Sequence, residues 1–164
     1  MPPTPFIEPS AIDTSCVLFD RDAIRRGNPQ RFEMEHLSAV VHLDTQARLI
    51  VGYKDISADE FWARGHMPNY PLMPGVLVCE AAAQLCSFYC HVIRPVSDSF
   101  LGFGGMEGVR FRGQVRPGDR LVIVGKGEQI RRRRMEFDTQ AFVGSRMVYH
   151  GRIIGFPLNS VATG

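Results

Sequence analysis

The chain has 164 residues, enough for one ordinary domain, and 45% of them are hydrophobic, enough to fill a single core. Nineteen Lys and Arg against 17 Asp and Glu leave a formal net charge of +2, too even for a protein whose main partner is bulk nucleic acid. The opening MPPTPFIEPSAID has no basic end followed by an apolar stretch, and the apolar run after Gly75 is interrupted by Glu80 and Gln84. Neither a secretory signal nor a membrane span is therefore expected, and the expectation is a soluble, cytoplasmic protein.

Pro2, Pro3, Pro5 and Pro9 make the first ten residues a poor start for a packed element, so residues 1–19 are expected to form a loose arm ahead of one folded domain over 20–164. Asp20 is placed to cap a short helix over Arg21 to Arg26, which Gly27, Asn28 and Pro29 would end. The pieces EHLSAVVHLD and ARLIVGYKDI read as two strands joined by a turn at Asp44, Thr45 and Gln46. RGHMPNYPLMPG follows, its prolines permitting neither helix nor ladder, so an ordered loop is expected there.

From Val76 to Ile93 the chain is apolar almost all round, with Ala81 to Ala83 favouring helix and Pro95 ending it. Such a helix, about 27 Å long, needs structure on several sides. The material for that is β-rich: SFLGFGGM, GVRFRGQV, DRLVIVGKGEQI and RMEFDTQAFVGSRMVYHGRIIGF, the last split into two strands about Gly144 and Ser145. Pro117, Gly118 and Asp119 mark a turn. The fold class expected is α+β, an antiparallel sheet curved around one long central helix.

Cysteines 16, 79, 86 and 90 read as reduced, buried thiols, three of them lying in the helical segment at offsets of 7 and 4. Cys86, Cys90 and His91 lack a second ligand pair at metal-binding spacing, so no metal is expected. The glycine-rich run Gly102 to Gly105 lacks the Lys and Ser/Thr of a phosphate loop. Phe88 and Tyr89 are expected in the core.

The constellation that carries chemistry is His66 in the proline-rich loop and Glu80 on the apolar helix, 80 − 66 = 14 residues apart. A carboxyl flanked by Val78, Cys79 and Ala81 to Ala83 meets two opposed effects: desolvation raises its pKa, and the helix N-terminus lowers it. Balanced between them, it suits a general acid. Taken singly, either residue reads more readily as a paired structural group. Gly75 and Val76 tip that balance, because their backbone N–H groups at the helix start are placed to polarise a carbonyl.

The run Gly65-His66-Met67-Pro68-Asn69-Tyr70-Pro71-Leu72-Met73-Pro74-Gly75-Val76-Leu77, with Glu80-Ala81 and Gln84 after it, resembles the signature of (3R)-hydroxyacyl-[acyl-carrier-protein] dehydratases of the FabZ type, which have the hotdog fold. Val109-Arg110-Phe111-Arg112 through Arg116-Pro117-Gly118-Asp119 and Pro29-Gln30-Arg31-Phe32 are further matches, and the resemblance spans roughly residues 20 to 156. It implies His66 as base, Glu80 as acid, Gly75 N–H as carbonyl donor, Val76 beside it, and Gln84 holding Glu80. Glu80 in place of Asp resembles the branch that only dehydrates. The resemblance also implies a cofactor-free homodimer or higher assembly, a trimer of dimers included, with sites between subunits and acyl-carrier protein as partner. Arg131 to Arg134 offer that acidic carrier a basic docking point, or else form a solvated hairpin end.

Two positions depart from the family pattern: Gln30 stands where Pro-His-Arg is common, and Gly102 where an aromatic side chain is thought to gate the acyl tunnel. They keep two rival readings open, a hotdog acyl thioesterase and a non-catalytic acyl-binding or assembly subunit.

Overall fold

The computed structural model describes residues 1–93 and 99–159. Six strands form one antiparallel sheet: β1 (Ala39–Asp44), β2 (Leu49–Asp55), β3 (Ser99–Phe111), β4 (Arg120–Arg131), β5 (Arg134–Val143) and β6 (Arg146–Asn159), in the order β1-β2-β4-β5-β6-β3. The long helix, α2 (Gly75–Ile93), lies against one face of this sheet. A sheet around one central helix is the hotdog arrangement, as its sequence implied. Pro95, read as the end of that helix, lies outside the described residues.

The reason is burial. Val78, Cys79, Ala81, Ala82, Leu85, Cys86, Phe88 and Tyr89 of α2 are all buried, and they share a core with Ile50, Leu121, Ile123, Phe137, Tyr149 and Ile153 from the strands. Phe88 and Tyr89 are core residues, Tyr89 meeting Phe137 edge to face with ring centroids 5.6 Å apart. By length and hydropathy α2 equally suits a membrane span, interrupting polar residues notwithstanding, but its apolar faces are largely taken up by the sheet.

Local signals act where the sequence put them. Asp20 Oδ1 accepts from Ala23 N at 2.8 Å and caps α1 (Arg21–Gly27). Asp44 Oδ1 accepts from Gln46 N and Ala47 N in the β1–β2 turn. Gly144 takes φ +58° in the tight β5–β6 turn, and Gly118 takes φ +94° in the turn before β4.

Two expectations differ from what is found. SFLGFGGM and the first half of GVRFRGQV are not two strands but one, β3, which ends at Phe111 and whose register against β6 slips between Phe103 and Gly105 and again between Glu107 and Arg110. Gly104 and Gly108 fall at these bulges within a continuous edge strand. Residues 1–19, expected to be loose, are packed: the stretch from Phe6 to Ile12 lies across the outer face of the sheet, opposite α2, and Phe19 meets Phe88 of α2 on the other side. Phe6, Ile7 and Ile12 pack near Val41, Val51, Val124 and Phe142, and buried Gln140 clasps the arm, accepting from Phe6 N at 3.0 Å and donating to Thr4 O at 2.9 Å. Proline keeps the arm out of regular structure apart from one short turn, Pro9–Ala11, but does not stop apolar side chains from covering an apolar face.

Candidate active site

The loop before α2 is ordered by its own backbone. His66 N donates to Trp62 O at 2.8 Å, Leu72 N to His66 O at 2.7 Å, and Met67 and Tyr70 exchange bonds at 3.0 and 2.9 Å. Met73 N donates to Val115 O at 2.8 Å and ties the loop to the segment that follows β3. His66 is half-buried, with Nδ1 2.7 Å from Leu72 O. A carbonyl only accepts, so Nδ1 carries a proton, and the lone pair available for a base is that of Nε2.

Gly75 opens α2 under the ring of Phe111, where an added Cβ would come within 2.8 Å of two ring carbons. Only glycine fits that close approach. The N–H groups of Gly75 and Val76 have no hydrogen-bond partner among the described residues, as expected of a helix start, and Val76 is exposed. These donors stand on the same loop–helix junction that carries His66.

Glu80 lies one turn further on and is half-buried rather than enclosed. Its Oε1 accepts from Gln84 Nε2 at 2.8 Å. Gln84 is itself buried, and its amide has no freedom to flip: Oε1 accepts from His36 N at 2.9 Å, while Nε2 also donates to Met34 O at 2.7 Å. The backbone of the stretch around Met34 and His36 therefore decides which way Gln84 points, and Gln84 decides where Glu80 Oε1 sits. Asn28, at the end of α1, adds a bond from Nδ2 to Gln84 O at 2.9 Å.

Behind this network is a set of groups that sequence reasoning missed. Lys54 Nζ and Glu60 Oε1 form an ion pair at 2.8 Å with side chains only 8% and 11% exposed. His36, fully buried beside them, is pushed down to about 4, first by burial and then by the Lys54 charge, with Glu60 acting the other way. Neither ring nitrogen of His36 has a hydrogen-bond partner. The available signal was the alternation in Ile50, Gly52 and Lys54, which puts Lys54 on the face of β2 that carries Ile50 into the core.

Among the described residues no hydrogen bond joins His66 to Glu80, and no residue bonds both side chains. The departures also find their places. Gln30 is half-buried, its Oε1 unpaired, and with Asn28 and Gln84 it lines a small cavity of about 10 Å³. Gly102 pairs with Phe156 on β6, and a Cβ there would overlap the Leu158 side chain, which fills the space an aromatic residue would need. Arg131 to Arg134 form the exposed β4–β5 turn, where Arg134 Nε pairs with Glu136 Oε1 at 2.6 Å. None of the four cysteines forms a disulfide: Cys79 and Cys86 are buried, Cys90 is half-buried, and Cys16 is exposed, contrary to its reading as a buried thiol. Burial pushes the Cys79 thiol up and the Cys86 thiol further still.

A family model for the FabA-like domain matches residues 28–152. The 3-hydroxyacyl-[acyl-carrier-protein] dehydratase FabZ of Clostridioides difficile (strain 630) is 32% identical over 133 residues, covering 81% of this chain and 93% of that protein. The chain belongs to the FabA-like family of hotdog-fold proteins, and the FabZ-type resemblance read from its central motif is borne out. The fold recurs in a dehydratase heterocomplex of Xenorhabdus doucetiae, with TM-score 0.68 and 18% identity over 83% of this chain and 91% of that one. It recurs again in a sigma28-regulated virulence protein of Campylobacter jejuni, with TM-score 0.64 and 9% identity over 94% and 98% of the two chains.

Proposed function

We propose that the protein is a 3-hydroxyacyl-[acyl-carrier-protein] dehydratase, removing water from (3R)-3-hydroxyacyl thioesters to give trans-2-enoyl thioesters in fatty-acid or related lipid synthesis. Family membership and the FabZ relative support the reaction, and the observation that carries the chemistry is the Nδ1–H bond from His66 to Leu72 O, which leaves the Nε2 lone pair for a base.

In the reaction His66 Nε2 takes the C2 proton while Gly75 N–H, helped by Val76, holds the negative charge that grows on the thioester oxygen. The C3–O bond then breaks, its electron pair leaving with the hydroxyl, and Glu80 in its protonated form gives that hydroxyl the proton that makes it water. The proton on His66 then passes to Glu80, either directly or by release to solvent with uptake of another by Glu80, which closes the cycle. Gln84 holds Glu80 at Oε1, leaving the other oxygen for the substrate. No metal or cofactor enters these steps.

The working unit is a homodimer or a multiple of it, with His66 of one subunit facing Glu80 of the other. The lack of any hydrogen bond between the two side chains within one chain is consistent with this arrangement, and the edge strand β3 with exposed Phe103, Met106 and Phe111 supports it. Acyl-carrier protein is the carrier, and the cytoplasm is the expected compartment. If the Arg131–Arg134 turn steers that acidic partner, replacing its arginines raises KM for carrier-bound substrate and flattens the salt dependence; unchanged kinetics leave it a solvated turn.

The direct test is incubation with 3-hydroxybutyryl thioester. Dehydration gives the absorbance of a conjugated enoyl thioester. Release of free thiol without that absorbance would instead identify a thioesterase, and no turnover at all an assembly subunit.

A further inference from the structure

Beside the catalytic loop is a recess of about 400 Å³ lined by Pro71, Gln114, Arg116, Pro117, Asp119 and Arg146. Arg25, Arg120, Arg134 and Arg152 each pair with a carboxylate, but among the described residues neither Arg116 nor Arg146 has one within ion-pairing distance. Both are nevertheless held. The Arg116 guanidinium sits 4.2 Å over the Tyr70 ring, whose hydroxyl donates to Gln114 Oε1 at 2.8 Å, and Arg146 Nη2 donates to Gln114 O at 3.3 Å. Asp119, the one carboxylate in the recess, accepts from the Arg116 backbone N–H through Oδ2 at 2.8 Å.

Two positioned guanidiniums facing one carboxylate leave net positive charge in a concave site. Planar forks of this kind suit a phosphate, which each can bind through two parallel N–H bonds. The location narrows the source. Pro71 precedes Leu72, whose carbonyl holds His66, and lies 75 − 71 = 4 residues before Gly75, at most ~14 Å along the chain. A thioester carbonyl at Gly75 N–H and a phosphate at the Pro71 wall of this recess are thus within the span of one extended pantetheine arm.

We propose that Arg116 and Arg146 bind the phosphate of the substrate's pantetheine arm, a specificity site that rests on the dehydratase reading. The phosphate is a diester on a carrier protein and part of a pyrophosphate on coenzyme A, and either can enter a recess open on its outer side.

The experiment compares 3-hydroxybutyryl thioesters of pantetheine, 4′-phosphopantetheine, coenzyme A and phosphopantetheinylated carrier protein, using wild type, R116A, R146A and the double variant. The ratio of kcat/KM for the phosphopantetheine thioester to that for the pantetheine thioester is expected to fall roughly tenfold in each single variant, through KM, and to vanish in the double. Lysine at either position is expected to restore part of it. A similar fall on the carrier-bound or the coenzyme A thioester identifies which carrier uses the recess. A ratio that stays at the wild-type value, or losses equal on both small thioesters, would overturn the proposal. Calorimetry of phosphopantetheine against pantetheine reads the recess without turnover, so it separates failure of this site from failure of the dehydratase reading. Tighter binding of the phosphorylated form, lost in R116A, is expected, and equal affinities would refute the assignment.

Discussion

His66 and Glu80 are fixed by opposite means. The His66 side chain is oriented by a bond inside its own loop, to Leu72 O, and backbone bonds within a few residues shape that loop, which Met73 N then ties to Val115 O. Glu80 is held through Gln84 by groups some fifty residues away, at Asn28, Met34 and His36, and behind them by a buried ion pair. The base is set by loop chemistry and the acid by tertiary structure. Perturbations of the fold should therefore reach Glu80 long before they reach His66.

The largest effect expected treats the two alike: His66→Ala and Glu80→Ala should each lower kcat by roughly 100-fold or more with the fold retained, since each removes one proton-transfer group. Circular dichroism beside steady-state kinetics checks this, and near-full activity in either variant breaks the pair. The next separates the two sides by pH. His36 is neutral when folded, with a pKa near 4 against about 6.5 unfolded, so the unfolded chain binds more protons between those values. Stability is then full above about pH 6.5 and falls as pH drops towards 4, by an amount on the order of 3 kcal/mol from this group. Denaturant unfolding of His36→Leu across that window should show the slope reduced.

Gln84→Ala leaves Met34 O and His36 N without a buried partner, and should cost about 1–3 kcal/mol in stability. It should also lower kcat more than it raises KM, because Glu80 loses its positioning bond, and an unaltered kcat would deny the relay from fold to acid. Asp20→Ala, which removes the cap of α1, should cost about 1 kcal/mol by thermal unfolding and little activity, being one step further removed from Glu80.

The same contrast explains what was legible in the sequence. The loop–helix motif, the α2 span, the Asp20 cap and the turn at Gly144 are local, and each is written in adjacent residues. For β3 the division at Glu107, before Gly108, misled, because the register that carries the strand through Gly104 and Gly108 belongs to its partner β6. Lys54, Glu60 and His36 were not picked out because their meeting depends on where the chain leaves β2 and on the His36 segment lying over α2. The arm over residues 1–19 misled for a related reason: proline predicts the absence of regular structure, and what decides looseness is whether an apolar surface is available to cover. Gln84 was legible as a neighbour of Glu80, one helical turn on, but not as the group through which the fold orients it.

The measurement closest to the central claim is complementation between dead variants. Inactive His66→Ala and Glu80→Ala proteins are unfolded together and refolded. If each site draws His66 from one subunit and Glu80 from the other, a mixed dimer has one doubly altered site and one intact site, as two-fold symmetry requires. Random pairing makes about half the dimers mixed, so about a quarter of wild-type activity should return. Continued inactivity, with mixed dimers demonstrated by mass, would contradict the shared site.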